Sequence, residues 1–522
     1  MKSVPCDGSW TSRAKAIVLC GMLGPVAWWP NVNYIPNWDS FIFETSGWFI
    51  TQGLVPYRDF WDHKPPGIHV LDAFVVAAAG DAWPGFEMLQ VVNAFVLAAA
   101  FAACVLASGC GTVATAGGTL LMTLAFYAPE VYQGGNRAEE FGATLVILGL
   151  ALRQAGGGRS GLAAAACLSA APFFKEPFIF SIAPWVGADV WARLAAPPRR
   201  IRAVTAYLCA AATPGLLAVA WLAWAGGLCG WLDALAYNLF SYGERQGLVA
   251  TLVSNIRPFL THTTGLLLIT GPLFIGGLLA ASRGATAAAR RGMPLLGAQV
   301  ACEFVATAIG GRHTETYYLQ SIPAFMAIVA LGIDAVVRVE WPPLERVSDR
   351  GRSVAAIGLA VLASAMPLAM LVRGYAERPR RWPGNADIAM AIREMSGADA
   401  RIWVPAVYRT DVYRLADRMP ATRYFYIPGA GQGMNAPRGA GLGVMCCVDH
   451  PTRGAEMEAE LRANGPDAIV LDGFSVRAIE AASATLLPWI EERYAPERRF
   501  PAINGHVPVL LVPRKSAAHH RE

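Results

Sequence analysis

Charged side chains are scarce in this chain. They make up 16% of its 522 residues while hydrophobic residues reach 54%, and the mean hydropathy is +0.37. An ordinary soluble domain carries about 25% charged residues, so the deficit argues against a string of soluble domains and for lipid as the solvent. The net charge of +5 is small for this length, and the arginines sit in short loops between apolar runs, so no basic face for nucleic acid is present. Metal-site spacing is missing as well. No CxxC occurs, seven of the ten cysteines (Cys20, Cys104, Cys110, Cys167, Cys209, Cys229 and Cys302) lie in or beside apolar runs, and Cys446 and Cys447 are adjacent, which disfavours a disulfide between them. No small-x-small cleavage site follows Met1–Trp29, and Trp28-Trp29-Pro30 suits a membrane-interface belt, so this segment reads as a retained first helix. The glycine-rich stretch Gly429–Gly443 lacks the helix and the acidic partner of a nucleotide loop and reads as plain loop.

Long apolar runs are abundant. A membrane helix needs about 17–25 residues, fewer inside a bundle. Candidate spans lie near 14–30, 86–108, 110–128, 140–153, 160–172, 173–190, 203–229, 259–281, 292–310, 317–337 and 353–373, about eleven in all, with Gly67–Gly80 read as a helix lying at the interface. The basic residues give an orientation. Arg13 and Lys15, then Arg193, Arg199, Arg200 and Arg202, then Arg283, Arg290 and Arg291, then Arg338, Arg346, Arg350 and Arg352 all fall on one side of these spans. The positive-inside rule makes that side, and the N-terminus, cytoplasmic. Segments 31–66, 129–139, 231–257 and 311–316 and everything after Arg373 are then expected to face outward.

After Arg373 the apolar runs shorten to strand length. Segments 400–405, 423–427, 468–472 and 507–512 read as strands, and 386–395, 410–418, 455–463 and 476–493 as helices, an alternation that predicts a small α/β domain. The expected organisation is therefore an α-helical polytopic membrane domain over 1–373, with interfacial helices in its first outward loop, and an extracytoplasmic α/β domain over 374–522.

The first outward loop is the densest polar segment of the membrane half. It carries Asp39, Glu44, Asp59 and Asp62 close to Arg58, His63 and Lys64, amid Tyr34, Trp38, Trp48, Tyr57 and Trp61. Such a loop either solvates its charges among lipid headgroups or sets a carboxylate base beside phosphate-binding cations. Lys175-Glu176 stands between two apolar runs, where a lysine is costly unless it pairs or snorkels. Glu139 and Glu140 follow Arg137 at a helix start, where the dipole favours acids. Glu303 lies mid-span with no neighbour in sequence that explains it.

The order Asp39, then Gly53-Leu54-Val55-Pro56-Tyr57-Arg58-Asp59, then His63-Lys64-Pro65-Pro66-Gly67 resembles the first outward loop of GT-C glycosyltransferases. The likeness is greatest to the bacterial branch related to lipid A aminoarabinose transferases and protein O-mannosyltransferases. Residues 135–140 (GNRAEE) and 313–320 (HTETYYLQ) with Pro323 extend it, while Ser40 departs from the Asp-Glu pair common in such enzymes and leaves a second acid to Glu44 or Asp59. The resemblance implies transfer of a sugar from a polyprenyl-phosphate donor to an acceptor hydroxyl on a glycan or lipid, at the outer face of a bacterial cytoplasmic membrane. It implies Asp39 as general base, with Asp59 as competitor, and Arg58, His63, Lys64, Arg137, Glu139, Lys175, Arg312, His313 and Tyr317 around the donor phosphate and sugar. No cofactor is implied, and a divalent metal is compatible with it. Positioned cations are what a phosphate leaving group needs, and a carboxylate is a suitable acceptor of the hydroxyl proton. A flippase of lipid-linked sugars would show inverted repeats and midplane charges, whereas no such repeat is found and most ionisable residues lie at the outward interface; a scaffold would leave the first loop's charges unexplained.

Overall fold

The computed structural model describes residues 10–32, 38–80, 83–195, 200–242, 248–264, 267–283, 287–309, 313–338, 348, 351, 354, 358, 384–428, 434–435, 438, 452–502 and 505–514. Nearly all of the expected span 353–373, Arg312, most of the 429–443 loop and Cys446–Cys447 lie outside the described residues. The chain forms two compact units. One comprises 1–34, 87–217 and 244–378, the other 35–86, 218–243 and 379–522.

The first unit is helical. Its described helices follow the apolar runs: Trp10–Gly21 with Leu23–Trp28, Trp83–Ala107, Thr112–Phe126, Ala138–Ala155, Gly158–Ala170, Phe178–Ala195, Arg200–Ala225, Ala287–Ile309 and Ile322–Val337. Pro84–Ala107, Ile201–Ala225 and Gly292–Ile309 are long and apolar enough to cross a bilayer. The expected run 259–281 is instead divided between helices Leu248–Thr264 and Leu267–Arg283, so helix also covers part of the expected outward segment 231–257. Hydropathy missed the earlier helix because its polar residues are satisfied inside the unit. Buried Asn255 donates to Phe304 O (3.0 Å) and Thr307 Oγ1 (2.9 Å).

Helix pairing uses small residues. A Cβ added at Gly332 would lie 1.9 Å from Leu273 O, and one at Gly277 would lie 2.2 Å from Ile328 O. Only glycine lets these two backbones approach so closely, which is how apolar helices gain packing where lipid offers no hydrophobic driving force. Around this crossing lies an aliphatic and aromatic core that includes Phe101, Leu121, Phe126, Leu273, Phe325 and Ile328.

The second unit holds a five-stranded sheet: β1 (Arg401–Trp403), β2 (Met419–Pro420), β3 (Ala468–Leu471), β4 (Tyr494–Arg499) and β5 (Val509–Pro513). Their order is β2-β1-β3-β5-β4, with β1 parallel to β2 and β3, and β5 antiparallel to β3 and β4. Helices Asn385–Met395, Asp411–Ala416, Arg453–Asn464, Gly473–Ala482 and Leu486–Arg493 make it an α/β unit. The expected strand 423–427 does not form. Tyr424, Phe425, Tyr426 and Ile427 are all buried, so the segment lacks one polar face, and its backbone instead serves first-loop residues, with Arg423 O accepting from Trp61 N at 2.7 Å. The same unit contains helices Trp38–Thr51 and Pro66–Ala79, the latter begun by Pro65-Pro66, where proline's fixed φ suits a first turn. Gly227 and Gly230 let the first-loop turn approach, since a Cβ at Gly230 would lie 2.3 Å from Tyr57 O.

Candidate active site

Two clusters gather the residues singled out from the sequence, one in each unit. In the first unit the segment before helix Ala138–Ala155 turns through Gln133, Gly134, Gly135 and Asn136, all at positive φ, which glycine and asparagine tolerate best. This turn delivers Arg137, almost fully buried, whose Nη2 donates to Gln133 Oε1 at 2.7 Å. Gln133 in turn donates to Glu315 Oε2 at 3.4 Å. Glu139 follows in the first helical turn and is ion-paired with Lys175. Lys175 comes from the break between the short 3-10 turn Ala171–Phe173 and helix Phe178–Ala195, bounded by Pro172 and Pro177. Its ammonium lies 3.4 Å from the centroid of the Tyr317 ring, a cation–π contact. Three of the expected residues, Glu139, Lys175 and Tyr317, thus meet, and Arg137 is tied through Gln133 to Glu315, two residues from Tyr317.

His313 stands slightly apart from them. Its Nδ1 lies 3.1 Å from Asn255 Oδ1, which also accepts from Tyr318 OH (2.8 Å), and its Nε2 lies 2.9 Å from Ser254 Oγ. These bonds tie His313 to helix Leu248–Thr264.

In the second unit Asp39 sits half-buried in the first turn of helix Trp38–Thr51. The other acids of the loop are distributed differently. Asp59 is bound by Arg58 (Nη2–Oδ2 2.6 Å, Nε–Oδ1 2.9 Å) and by the Val55 N–H (2.8 Å). Burial pushes its carboxyl up, but these hydrogen bonds and the charges of Arg58 and Arg423 outweigh that and hold it below its ordinary value. Glu44 is fully buried, 3.8 Å from Arg414.

Asp62, the one loop acid to which the sequence assigns no role, is almost fully buried. Its Oδ1 accepts from Tyr426 OH (2.5 Å) and His63 N (2.6 Å) and lies 3.1 Å from His63 Nδ1, while Oδ2 lies 3.2 Å from His69 Nε2. Burial penalises the charge, yet the hydrogen bonds and charges of His63 and His69 prevail and keep Asp62 well below the usual carboxylate range. His63 is lowered, first by burial and then by neighbouring Lys64. The charge of Asp39 reaches both His63 and Tyr426, which puts the half-buried acid beside this enclosed group. Lys64 is buried, with its ammonium 5.9 Å from the Tyr242 ring centroid, and its carbonyl accepts from Tyr57 OH at 2.6 Å.

His69 and Tyr426 carried no signal in sequence. His69 lies in an apolar helix, and Tyr426 lies hundreds of residues from the loop it bonds. Among the described residues no three His, Cys, Asp or Glu side chains are grouped to hold a metal ion.

No protein-family model matches the chain, and no curated protein matches it by sequence. Solved structures do. ArnT from Cupriavidus metallidurans in the apo state is 14% identical, with 95% of this chain and 98% of that one covered at a TM-score of 0.58. The same enzyme bound to undecaprenyl phosphate gives 14%, 96%, 98% and 0.55. The archaeal oligosaccharyltransferase AglB from Archaeoglobus fulgidus, in complex with an inhibitory peptide and a dolichol-phosphate, is 13% identical over 96% of this chain and 74% of that one, at a TM-score of 0.55. A further crystal structure of the A. fulgidus oligosaccharyltransferase is a complex with Zn and sulfate. The chain has the fold of these GT-C membrane enzymes: a multi-pass helical membrane protein with a C-terminal α/β part.

Proposed function

We propose that the chain is an integral-membrane glycosyltransferase that moves a sugar from a polyprenyl-phosphate donor to an acceptor hydroxyl, on the outer face of a bacterial cytoplasmic membrane. The observation that carries this reading is the contrast among the loop acids. Asp62 and Glu44 are fully enclosed, whereas Asp39 and Asp59 are half-buried, and Asp39 stands in the first turn of a helix with its charge felt by His63 and Tyr426. A base must meet its proton at hydrogen-bond distance, so a carboxylate at an accessible position is the suitable one.

In this reading Asp39 takes the proton of the acceptor hydroxyl as its oxygen attacks the anomeric carbon. The bond from that carbon to the phosphate oxygen breaks, and the electron pair leaves with the lipid phosphate. Charge gathers on the phosphate, and Lys175 and Arg137 are the cations assigned to it. Glu139 and Tyr317 position Lys175: one fixes the direction of an N–H, and the other gives the ammonium an aromatic floor. Lys64 is assigned a second phosphate contact. His63 belongs with Asp62 as a positioning group. Residues 1–373 are taken as the membrane catalytic part and 374–522 as the outward-facing domain, with the basic loops cytoplasmic. The solved structures of similar fold with undecaprenyl phosphate and dolichol-phosphate support a lipid-phosphate ligand.

The test is transfer by purified protein from a polyprenyl-phosphate sugar, with wild type against Lys175→Ala. Loss of donor affinity at unchanged acceptor affinity supports the assignment, and an unchanged donor KM removes Lys175 from it.

A further inference from the structure

A polar cleft opens within the second unit, formed by residues of the first loop and of the sheet edge. It encloses about 250 Å³, and its charged and polar lining includes Arg58, Asp59, Arg401, Arg423, Glu460 and Asn464. None of the residues lining it is aromatic, so the stacking platform that grips a neutral sugar face is missing.

The charges do not cancel. Arg58 is paired with Asp59 at 2.6 Å, and Arg423 Nε with Glu460 Oε1 at 2.6 Å. Glu460 is further fixed by Thr422 Oγ1 (2.7 Å) and Arg423 N (2.9 Å), so this wall is preorganised. The third guanidinium, Arg401, has no carboxylate left among the lining residues. Its backbone serves the sheet, with N donating to Asp467 Oδ2 at 2.8 Å, but among the described residues its exposed side chain makes no hydrogen bond or ion pair. Among the lining side chains three cations face two anions; Arg423 has a further carboxylate in Glu456 (3.4 Å), while the Arg401 fork is left open in a concave place. That geometry suits a planar or tetrahedral oxyanion, which an arginine can bind through two parallel N–H bonds.

We infer that this cleft binds an anionic group, a carboxylate or a phosphate ester, carried by the acceptor, with Arg401 as its principal contact. Arg58 and Arg423, held by their own carboxylates, set the walls and exclude a second cation. The assignment to the acceptor rests on the transferase reading above; the anion site itself does not.

Equilibrium titration of the full-length detergent-solubilised protein tests it, with methyl glucuronide and glucose 6-phosphate as probes and methyl glucoside as the neutral control. The expected result is that the anionic probes bind and the neutral one does not. Arg401→Ala should weaken the anions about tenfold, since one charge-assisted contact is lost. Arg401→Lys should recover part of the loss. Because the Arg401 side chain is outside the core, both variants should keep the wild-type unfolding temperature. Asp39→Asn should bind the anions like wild type even if transfer is gone, which separates this inference from the catalytic one. The tighter anion identifies the acceptor's charged group. Equal binding by wild type and Arg401→Ala, or no binding of either anion, overturns the proposal.

Discussion

Tyr426 donates a 2.5 Å hydrogen bond to Asp62, joining the segment after β2 to the first loop across most of the sequence. The pair is fully enclosed, and His63 and His69 complete the shell around the carboxylate. Removing the charge should therefore cost stability. Asp62→Asn is expected to destabilise the protein by about 3 kcal/mol, because a buried partner set evolved for an anion loses it. Thermal unfolding in detergent measures this, and a variant as stable as wild type would show the cluster to be unimportant for stability.

The same cluster sets a pH dependence. His63 is depressed below its unfolded value of about 6.5, so the unfolded chain binds its proton first and stability falls as pH drops through that value. Asp62 is depressed too, so its contribution is complete above about pH 4 and is lost as pH falls further. The groups facing the pair are Lys64, His69, Tyr426 and Asp39. The unfolding temperature is expected to decline in two stages from pH 7 to pH 3. His63→Gln should flatten the upper stage and Asp62→Asn the lower. A profile unchanged in both variants would contradict the assignment.

Much of the fold was legible in sequence because lipid imposes a coarse rule: apolar runs of spanning length become helices. Helix Leu248–Thr264 escaped it because Asn255, which looks polar in sequence, spends its hydrogen bonds on Phe304, Thr307, Tyr318 and His313. The segment 423–427 was misread for the opposite reason. Its aromatic residues suit a strand by propensity, yet tertiary bonds to Trp61 and Asp62 decide its backbone. Of the site, the cluster of Glu139, Lys175 and Tyr317 could be anticipated from motifs, whereas His69 and Tyr426 become visible only when the chain is folded.

Arg453 and Asp233 form a buried pair at 2.6 Å, with the guanidinium also over the rings of Tyr237 and Trp61. Removing Arg453 leaves the Asp233 carboxylate with the longer contact to Arg438 Nε (3.5 Å), and breaking a buried pair from one side costs about 3–5 kcal/mol. Arg453→Ala should lower the unfolding temperature sharply, and Asp233→Asn combined with Arg453→Met should recover part of it. No difference between the single and the double variant would argue against charge burial as the cause.

At the crossing of helices Leu267–Arg283 and Ile322–Val337, Gly332→Ala would place a methyl 1.9 Å from Leu273 O. The helices must separate, at about 2–3 kcal/mol. Gly271→Ala on the same helix pair meets no neighbour within 4 Å and should be silent. Comparable unfolding temperatures for the two variants would contradict the close-packed crossing.

The most direct test of the whole account is sugar transfer from a polyprenyl-phosphate donor by Asp39→Asn, compared with Asp59→Asn, in protein that unfolds at the wild-type temperature. If Asp39 is the base, its variant loses transfer by about 10²–10⁴-fold while Asp59→Asn retains most of it. Full activity in Asp39→Asn would contradict the account.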